Sequence, residues 1–526
     1  MRFIRPTGFV LVLATIFSAF ASLAIETGPT VRYRLLGEPA TLDWNRAHTN
    51  IETHVLMNLM EGLVEVETDA KTGRLRVAPC LAESYKISKN GRQIDFTLKG
   101  GVRWSDGREL TTEDFIYGWQ RLLQPTTAAA YAYMLFDVEG AEAYHEGSNG
   151  DFKSVGIEAL DRYHLRVKLK TPVAHWIFLP SFWPLFPMRK DVVDKYGEGW
   201  TRPGRMVTVG PFVYESHDTN TRIVLRENPN YHRKKGNVRI AEALILQDDA
   251  TAMNLYRAGK LDILTDVPPM ELKGLRGRAD LHTFPYLKTV YVGFATGLYP
   301  FDSPAFRRAI VRSINRERMG ELLYGDQKPG RTFTPPPLFS ASDRIGLTYD
   351  VEKAKADLRT IGLRTPLQMD VKLVVPNWDR PMMVAQYVQA ELQRNLGLRV
   401  SVQPYDHKTF RAQVDLHQHG MFLLSWGADF PDPDNFMSVF LSQSGNNRTQ
   451  WKNAEYDRLV QAARAEMKTA RRKELYQSAE KILVEQEAAV LPFYYEPNKA
   501  LIQPNIKGVL INPLNYLNLR GVHVGS

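Results

Sequence analysis

The chain has 526 residues, 44% of them apolar and 24% charged, with a formal net charge of +9. That length is too great for a single core, so two or three domains are expected, and one cysteine excludes an intramolecular disulfide. The bases are scattered; the densest runs, His232-Arg233-Lys234-Lys235 and Arg471-Arg472-Lys473, read as solvated faces and argue against a nucleic-acid partner.

Arg2 and Arg5 form a positive start, and Gly8 to Phe20 is apolar and uncharged. Ser22-Leu23-Ala24 is a small-x-small cleavage site, with Ala19-Phe20-Ala21 as a rival. Residues 1–24 therefore read as a cleaved signal peptide, and export argues further against nucleic acid. The alternative is a single membrane anchor over Gly8 to Ile25. No Cys follows the apolar stretch, so a lipid anchor is not expected. The mature chain should start near Ile25.

Val31 to Leu36 is strand-like, and Gly37-Glu38-Pro39 breaks it. Ile51 to Glu61 reads as a helix with Val55, Leu56, Leu59 and Met60 on one side. Cys80 reads as a small apolar packing residue. Gln93 to Lys99 alternates as a strand. Val102 to Trp104 should close a strand before the turn Ser105-Asp106-Gly107. Thr111 then starts a helix, with Glu113 and Asp114 in its first turn. Tyr163 to Leu169 alternates, with Leu165, Val167 and Leu169 on one face. Helices over Asp248 to Gly259, Pro304 to Leu323, Arg380 to Leu396 and, as a pair, Tyr456 to Glu487 alternate with strands. Those strands are Leu261 to Leu264, Tyr291 to Ala295, Met369 to Val375, Arg399 to Gln403 and Met421 to Ser425. The pattern is mixed α/β, without repeats.

Eight stretches carry a resemblance. They are Gly37 to Asp43, Met60 to Leu63, Pro79 to Tyr85 (PCLAESY), Gly101 to Pro125 (GVRWSDGRELTTEDFIYGWQRLLQP), Val209 to Phe212 (VGPF), Tyr256 to Ile263 (YRAGKLDI), Phe301 to Arg316 (FDSPAFRRAIVRSINR) and Trp426 to Phe436 (WGADFPDPDNF). In this order they resemble the extracytoplasmic solute-binding proteins of peptide ABC importers, the oligopeptide- and dipeptide-binding family. The resemblance implies a two-lobed α/β fold of the periplasmic-binding-protein class II type with an extra inserted domain. It places domain I at 25–60, 186–287 and 498–526, the inserted domain II at 61–185 and domain III, the second lobe, at 288–497. It implies a periplasmic monomer that closes on a peptide between its lobes. The partners are then inner-membrane permease subunits with cytoplasmic ATPases. The hinge should lie near Leu287–Thr289 and Tyr495–Asn498.

The same resemblance gives a site. Asp429 matches the carboxylate that meets a peptide's α-ammonium, a pairing that offsets the desolvation of both charges. Ser425, Trp426, Gly427 and Ala428 would offer backbone groups to an extended peptide by strand addition. The alternative is that Asp429 only caps the turn that follows. Tyr131 matches an aromatic of the cleft, and Asn50 lies in the loop that faces the peptide. Asp432 and Asp434 read as turn and cap residues. His407 stands where a Trp is frequent, and Met421 to Leu424 lacks the Arg that some members use for a short peptide's carboxylate. His417 and His419, with Asp415, invite a metal reading; a polar loop is preferred, and no metal or cofactor is expected. Rival ligands on this fold are a nickel chelate, haem or an oligosaccharide, and a rival role is a non-transport peptide receptor or chaperone. No G-x-S-x-G, H-E-x-x-H, Walker loop or G-x-G-x-x-G is present, so a hydrolase or other enzyme is not expected.

Overall fold

The computed structural model describes residues 28–68, 75–336, 338 and 344–525. The leader expectation for 1–24 lies outside the described residues. Among these, no helix is long and apolar enough to cross a membrane.

Three sheets organise the chain. The first has seven strands in the order Leu281–Phe284, Asn498–Ile502, Ile263–Thr265, Thr30–Leu35, Ile240–Ile245, Arg222–Glu227 and Phe212–Asp218. Thr30–Leu35 lies inside it, parallel to Ile240–Ile245, with Val31, Tyr33 and Leu35 buried. These three share one face, and its burial matches their β-branched and aromatic make-up. The second sheet has six strands in the order Lys328–Pro329, Val490–Tyr495, Lys288–Phe294, Met421–Gly427, Asp370–Pro376 and Arg399–Tyr405. The third is antiparallel, with Ala82–Ile87, Gln93–Leu98, His164–Lys168 and Ile157–Ala159. Its Ile94, Phe96, Leu165 and Val167 are buried, as the alternation requires. Helix Thr112–Leu123 starts with a capping box in which Thr111 and Asp114 satisfy each other's backbone amides.

The chain moves from the first sheet to the second between Phe284 and Lys288, and returns between Tyr495 and Asn498. The two crossings lie side by side: Phe284 is paired with Asn498 and Thr289 with Tyr495. The second lobe is thus one continuous stretch entered and left at neighbouring points.

Four expectations need correction. Val102 to Trp104 forms no strand; only an isolated bridge joins Arg103 to Glu109. The helix expected over Pro304 to Leu323 ends at Arg312 and resumes as short turns, Arg316–Arg318 and Met319–Leu322. Asn315 restarts it, its side chain accepting from the Glu317 amide at 3.1 Å. Arg316 is buried and gives its guanidinium to the carbonyls of Gly330, Leu347 and Pro492. The basic runs are not plain solvated faces. Arg233 donates to Glu65 at 3.0 Å and Lys235 pairs with Glu227 at 2.5 Å, while Arg472 grips Asp432 through two bonds of 2.6 Å. Cys80 is buried but not purely apolar in its contacts, since Arg233 donates to its Sγ at 3.2 Å.

Candidate functional site

Met421–Gly427 pairs antiparallel with Lys288–Phe294 along its whole length. On its other side Asp370–Pro376 pairs only with Met421 and Phe422. From Leu423 to Gly427 that edge has no strand partner among the described residues, and Ser425 and Gly427 are exposed on it. Unpaired backbone donors and acceptors in a row are a template for an added strand.

Asn435 fixes the end of this strand. Its Oδ1 accepts from the Trp426 indole at 3.0 Å and from the Asp429 amide at 3.2 Å. Ala428 is buried and its amide donates to the Leu287 carbonyl at 2.9 Å, so that amide is not open to a ligand. Trp426 is half-buried against the core.

Asp429 is half-buried, and burial pushes its carboxyl up to about 6, against hydrogen bonding with Asn435 and Tyr131. Tyr131 lies just before the short turn Ala132–Leu135, far from Asp429 in the chain. Its ring meets Phe182 edge-on at 4.9 Å and Trp183 at 5.7 Å. Asn50 opens helix Asn50–Leu59 and is exposed; its side chain bonds to the Tyr286 hydroxyl. A Cβ at Gly427 would meet that hydroxyl at 3.3 Å, which brings Asn50, Tyr286 and Gly427 to one place.

Beside this lies a cavity of about 910 Å³ at the crossings, with Ser425 in its wall. Lys288, Arg380, Arg411 and Lys499 supply cations, and Asp249, Asp266, Asp379 and Glu496 supply anions. Leu36 and Trp378 also line it, 42% and 53% exposed. Glu496 is buried, which alone would raise its pKa; Lys288, 2.7 Å away, and Arg380 hold it down at about 2. The Arg380 Nε has no hydrogen-bond partner.

The segment after Asp429 reaches His175, and Arg464 beside it reaches Asp137. Phe430 stacks on His175 at 4.9 Å, and Asp434 lies 3.6 Å from the His175 ring nitrogen. Arg464 bonds to Asp137 at 3.1 Å and lies 3.7 Å from Asp434. Asp432 and Asp434 are therefore ion-pair partners as well as turn residues. Asp415 pairs with Arg448 at 2.8 Å, His417 meets the Arg448 carbonyl at 3.1 Å, and buried His419 packs on Phe422. These three groups do not converge on one point.

Of the residues singled out by sequence, Asp429 and Tyr131 meet directly, Ser425 and Gly427 lie on the open edge, and Asn50 arrives through Tyr286. Sequence reasoning missed Asn435, Tyr286, Arg380, Lys288 and Glu496. The signal available for Glu496 was its place between two apolar strands, where a charge demands partners.

Residues 76–448 match the family described as bacterial extracellular solute-binding proteins, family 5, middle region. The chain belongs to that family. Members of the family are binding proteins, not enzymes. Among curated relatives, the probable deoxycholate-binding periplasmic protein YgiS of Escherichia coli is 33% identical over 94% of this chain and 93% of its own. The E. coli periplasmic murein peptide-binding protein MppA is 29% identical over 90% of this chain and 89% of its own. The open, unliganded structure of MppA superposes with a TM-score of 0.79 at 27% identity, covering 94% of this chain and 97% of that one. Haemophilus influenzae OppA in complex with the peptide RPPGFSPFR gives 0.77 at 25% identity, covering 95% of this chain and 100% of that one. The two-lobed class II fold of the family is thereby established for this chain.

Proposed function

We propose that this protein is a periplasmic solute-binding protein that holds a peptide between its lobes and hands it to an ABC importer of permease and ATPase subunits. The observation that carries the reading is the open strand edge Leu423–Gly427 ending at Asp429. An extended peptide pairs its backbone with that edge and its ammonium with the carboxylate. Met421 to Leu424 supplies no cation for its far end, and Lys288, opposite Gly427, lies at the Asp429 end of the edge and is paired with Glu496. In this reading 25–60, 186–287 and 498–526 form domain I, 61–185 domain II and 288–497 domain III, and the exported chain acts as a monomer after losing its leader. Site roles go to Asp429, Trp426, Ser425, Gly427, Tyr131 and Asn50, with Ala428 contributing its carbonyl only.

A second reading has one observation in its favour. The cavity sets Arg380, Lys288 and Arg411 beside exposed Trp378 and Leu36, a lining suited to an amphiphilic carboxylate. The relative named for deoxycholate agrees with it. Calorimetry with trialanine and with deoxycholate decides between the two: heat from trialanine alone supports the peptide, and heat from deoxycholate alone overturns it. Small-angle scattering on the bound protein should show a smaller radius of gyration than on the free one, because ligand contacts made only in the closed state shift the lobes together. An unchanged radius would indicate a rigid pocket.

The pH dependence follows from Asp429. An ammonium binds the ionised carboxylate, so affinity for trialanine should be lost as pH falls through about 6, by up to about tenfold per unit below it. It should fall again above about 8, where the peptide's amine loses its proton. The folded pKa lies above the unfolded one, so ionisation works against folding of the empty protein. That cost is absent below about pH 4 and grows as pH rises through about 6. Calorimetry from pH 5 to 9 checks the profile; affinity flat across pH 5 to 7 contradicts it.

A further inference from the structure

Glu480 stands near the end of the helix Thr469–Lys481 and is fully buried. Among the described residues no Lys, Arg or His pairs with it. Its carboxylate instead accepts from two backbone amides, Phe333 at 2.5 Å and Thr334 at 3.3 Å. The Thr334 hydroxyl is buried beside the same carboxylate and makes no hydrogen bond. The other titratable groups that face Glu480 are the hydroxyls of Tyr456 and Tyr495, both pushed up by burial and therefore neutral near pH 7.

The two amides belong to the segment Arg331–Thr334, which is fastened to both crossings between the sheets. The Tyr495 hydroxyl accepts from the amides of Arg331 at 3.2 Å and Thr332 at 3.0 Å, and donates to the Thr332 carbonyl at 2.9 Å. The Thr289 hydroxyl donates to the Phe333 carbonyl at 2.8 Å. Thr289 and Tyr495 are themselves paired, where the chain enters and leaves the second sheet.

A buried carboxylate without a cation is unfavourable when ionised and stable when it holds a proton. The proton has a place here. On the oxygen nearer Thr334 it is donated to the free hydroxyl, while the other oxygen keeps the Phe333 amide. Burial pushes this carboxyl up to about 7, against the pull of the two amides. An ionised Glu480 gains by reaching water, and it reaches water when Arg331–Thr334 moves aside. The closed pKa lies above that of the opened segment. Opening is therefore resisted fully below about pH 4, and is favoured progressively as pH rises to about 7.

We propose that Glu480 is a proton-operated lock on the joint between the lobes: protonated, it holds Arg331–Thr334 against the two crossing strands, and ionised, it drives that segment open. The proposal concerns the empty protein and stands apart from which ligand the cleft takes. The experiment is hydrogen–deuterium exchange of the ligand-free protein at about pH 5 and about pH 7.5, corrected for intrinsic exchange rates. In the wild type, opening of Arg331–Thr334 should rise by about tenfold per unit and level off above about pH 7. Peptides holding Thr289 and Tyr495 should follow it, and the strand Gln93–Leu98 should not. Glu480→Gln imitates the protonated acid, with its oxygen toward Phe333 and its NH2 toward Thr334, and should keep the segment closed at both pH values. Asp429→Asn should respond as the wild type does, which separates the lock from the carboxyl of the cleft. A wild-type segment that opens equally at both pH values overturns the proposal. So does a Glu480→Gln variant that keeps the wild-type response, an Asp429→Asn variant that loses it, or a response that Gln93–Leu98 shares in full.

Discussion

Asp429→Asn is expected to weaken trialanine binding by about 2–5 kcal/mol, the range found when one partner of a buried charge pair is truncated. The amide keeps the size of the carboxylate, so the indole and backbone contacts of Asn435 should persist, and what is lost is the charge. N-acetyl-trialanine, which carries no ammonium, should bind the wild type and the variant about equally, and both more weakly than trialanine binds the wild type. The empty variant should also unfold at higher denaturant concentration near neutral pH. A carboxylate pushed up to about 6 is a burden on the folded state there, and the amide removes it. Calorimetry and denaturant titration read the two effects. Equal wild-type affinity for free and acetylated trialanine would take Asp429 out of the site.

Arg121→Ala is expected to destabilise the protein by about 3–5 kcal/mol, because it leaves a buried carboxylate uncompensated. Arg121, on the helix Thr112–Leu123 of the inserted segment, donates to Asp43 at 2.6 and 2.9 Å and to the Asn45 side chain at 2.9 Å. Both ends of the pair are buried, and the nearest other cation, Arg46, is 3.8 Å from Asp43. The pair ties the helix Thr112–Leu123 to the loop that follows the strand Thr30–Leu35 and touches neither the open strand edge nor Asp429. Denaturant unfolding should therefore show the loss, while the affinity of the remaining folded protein for its ligand stays near that of the wild type. Arg121→Met combined with Asp43→Leu should recover much of the stability, since replacing both charges leaves no unpaired group. A single variant as stable as the wild type would mean that water reaches Asp43.

Many of the strands themselves were legible because local patterns encode them, whereas their order in the sheets was not. Alternation marked Gln93–Leu98 and His164–Lys168, and the WGADFPDPDNF stretch carried its resemblance in consecutive residues. Tyr516 was not legible: its hairpin is made of two-residue strands, too short to show a period, and its ring neighbour Trp183 is remote in sequence. The same holds for Asp43 with Arg121. The basic runs misled because a run of like charges looks solvated until the fold brings Glu65, Glu227 and Asp432 to meet it. The helix at Pro304 was read too long because Ser313-Ile314-Asn315 keeps the apolar spacing while Asn315 restarts the backbone.

The place of Asn498–Ile502 in the first sheet has a consequence for how the chain is assembled. This strand is inserted between Ile263–Thr265 and Leu281–Phe284, and it follows every strand of the second sheet in the chain. The first lobe, although its strand Thr30–Leu35 precedes the second lobe, cannot complete its sheet until the second lobe has been made. The second lobe is complete once Tyr495 has emerged. The usual order, in which the N-terminal unit folds first, is inverted here. In the export proposed above, a lobe that waits for this strand stays pliable until the second lobe has passed.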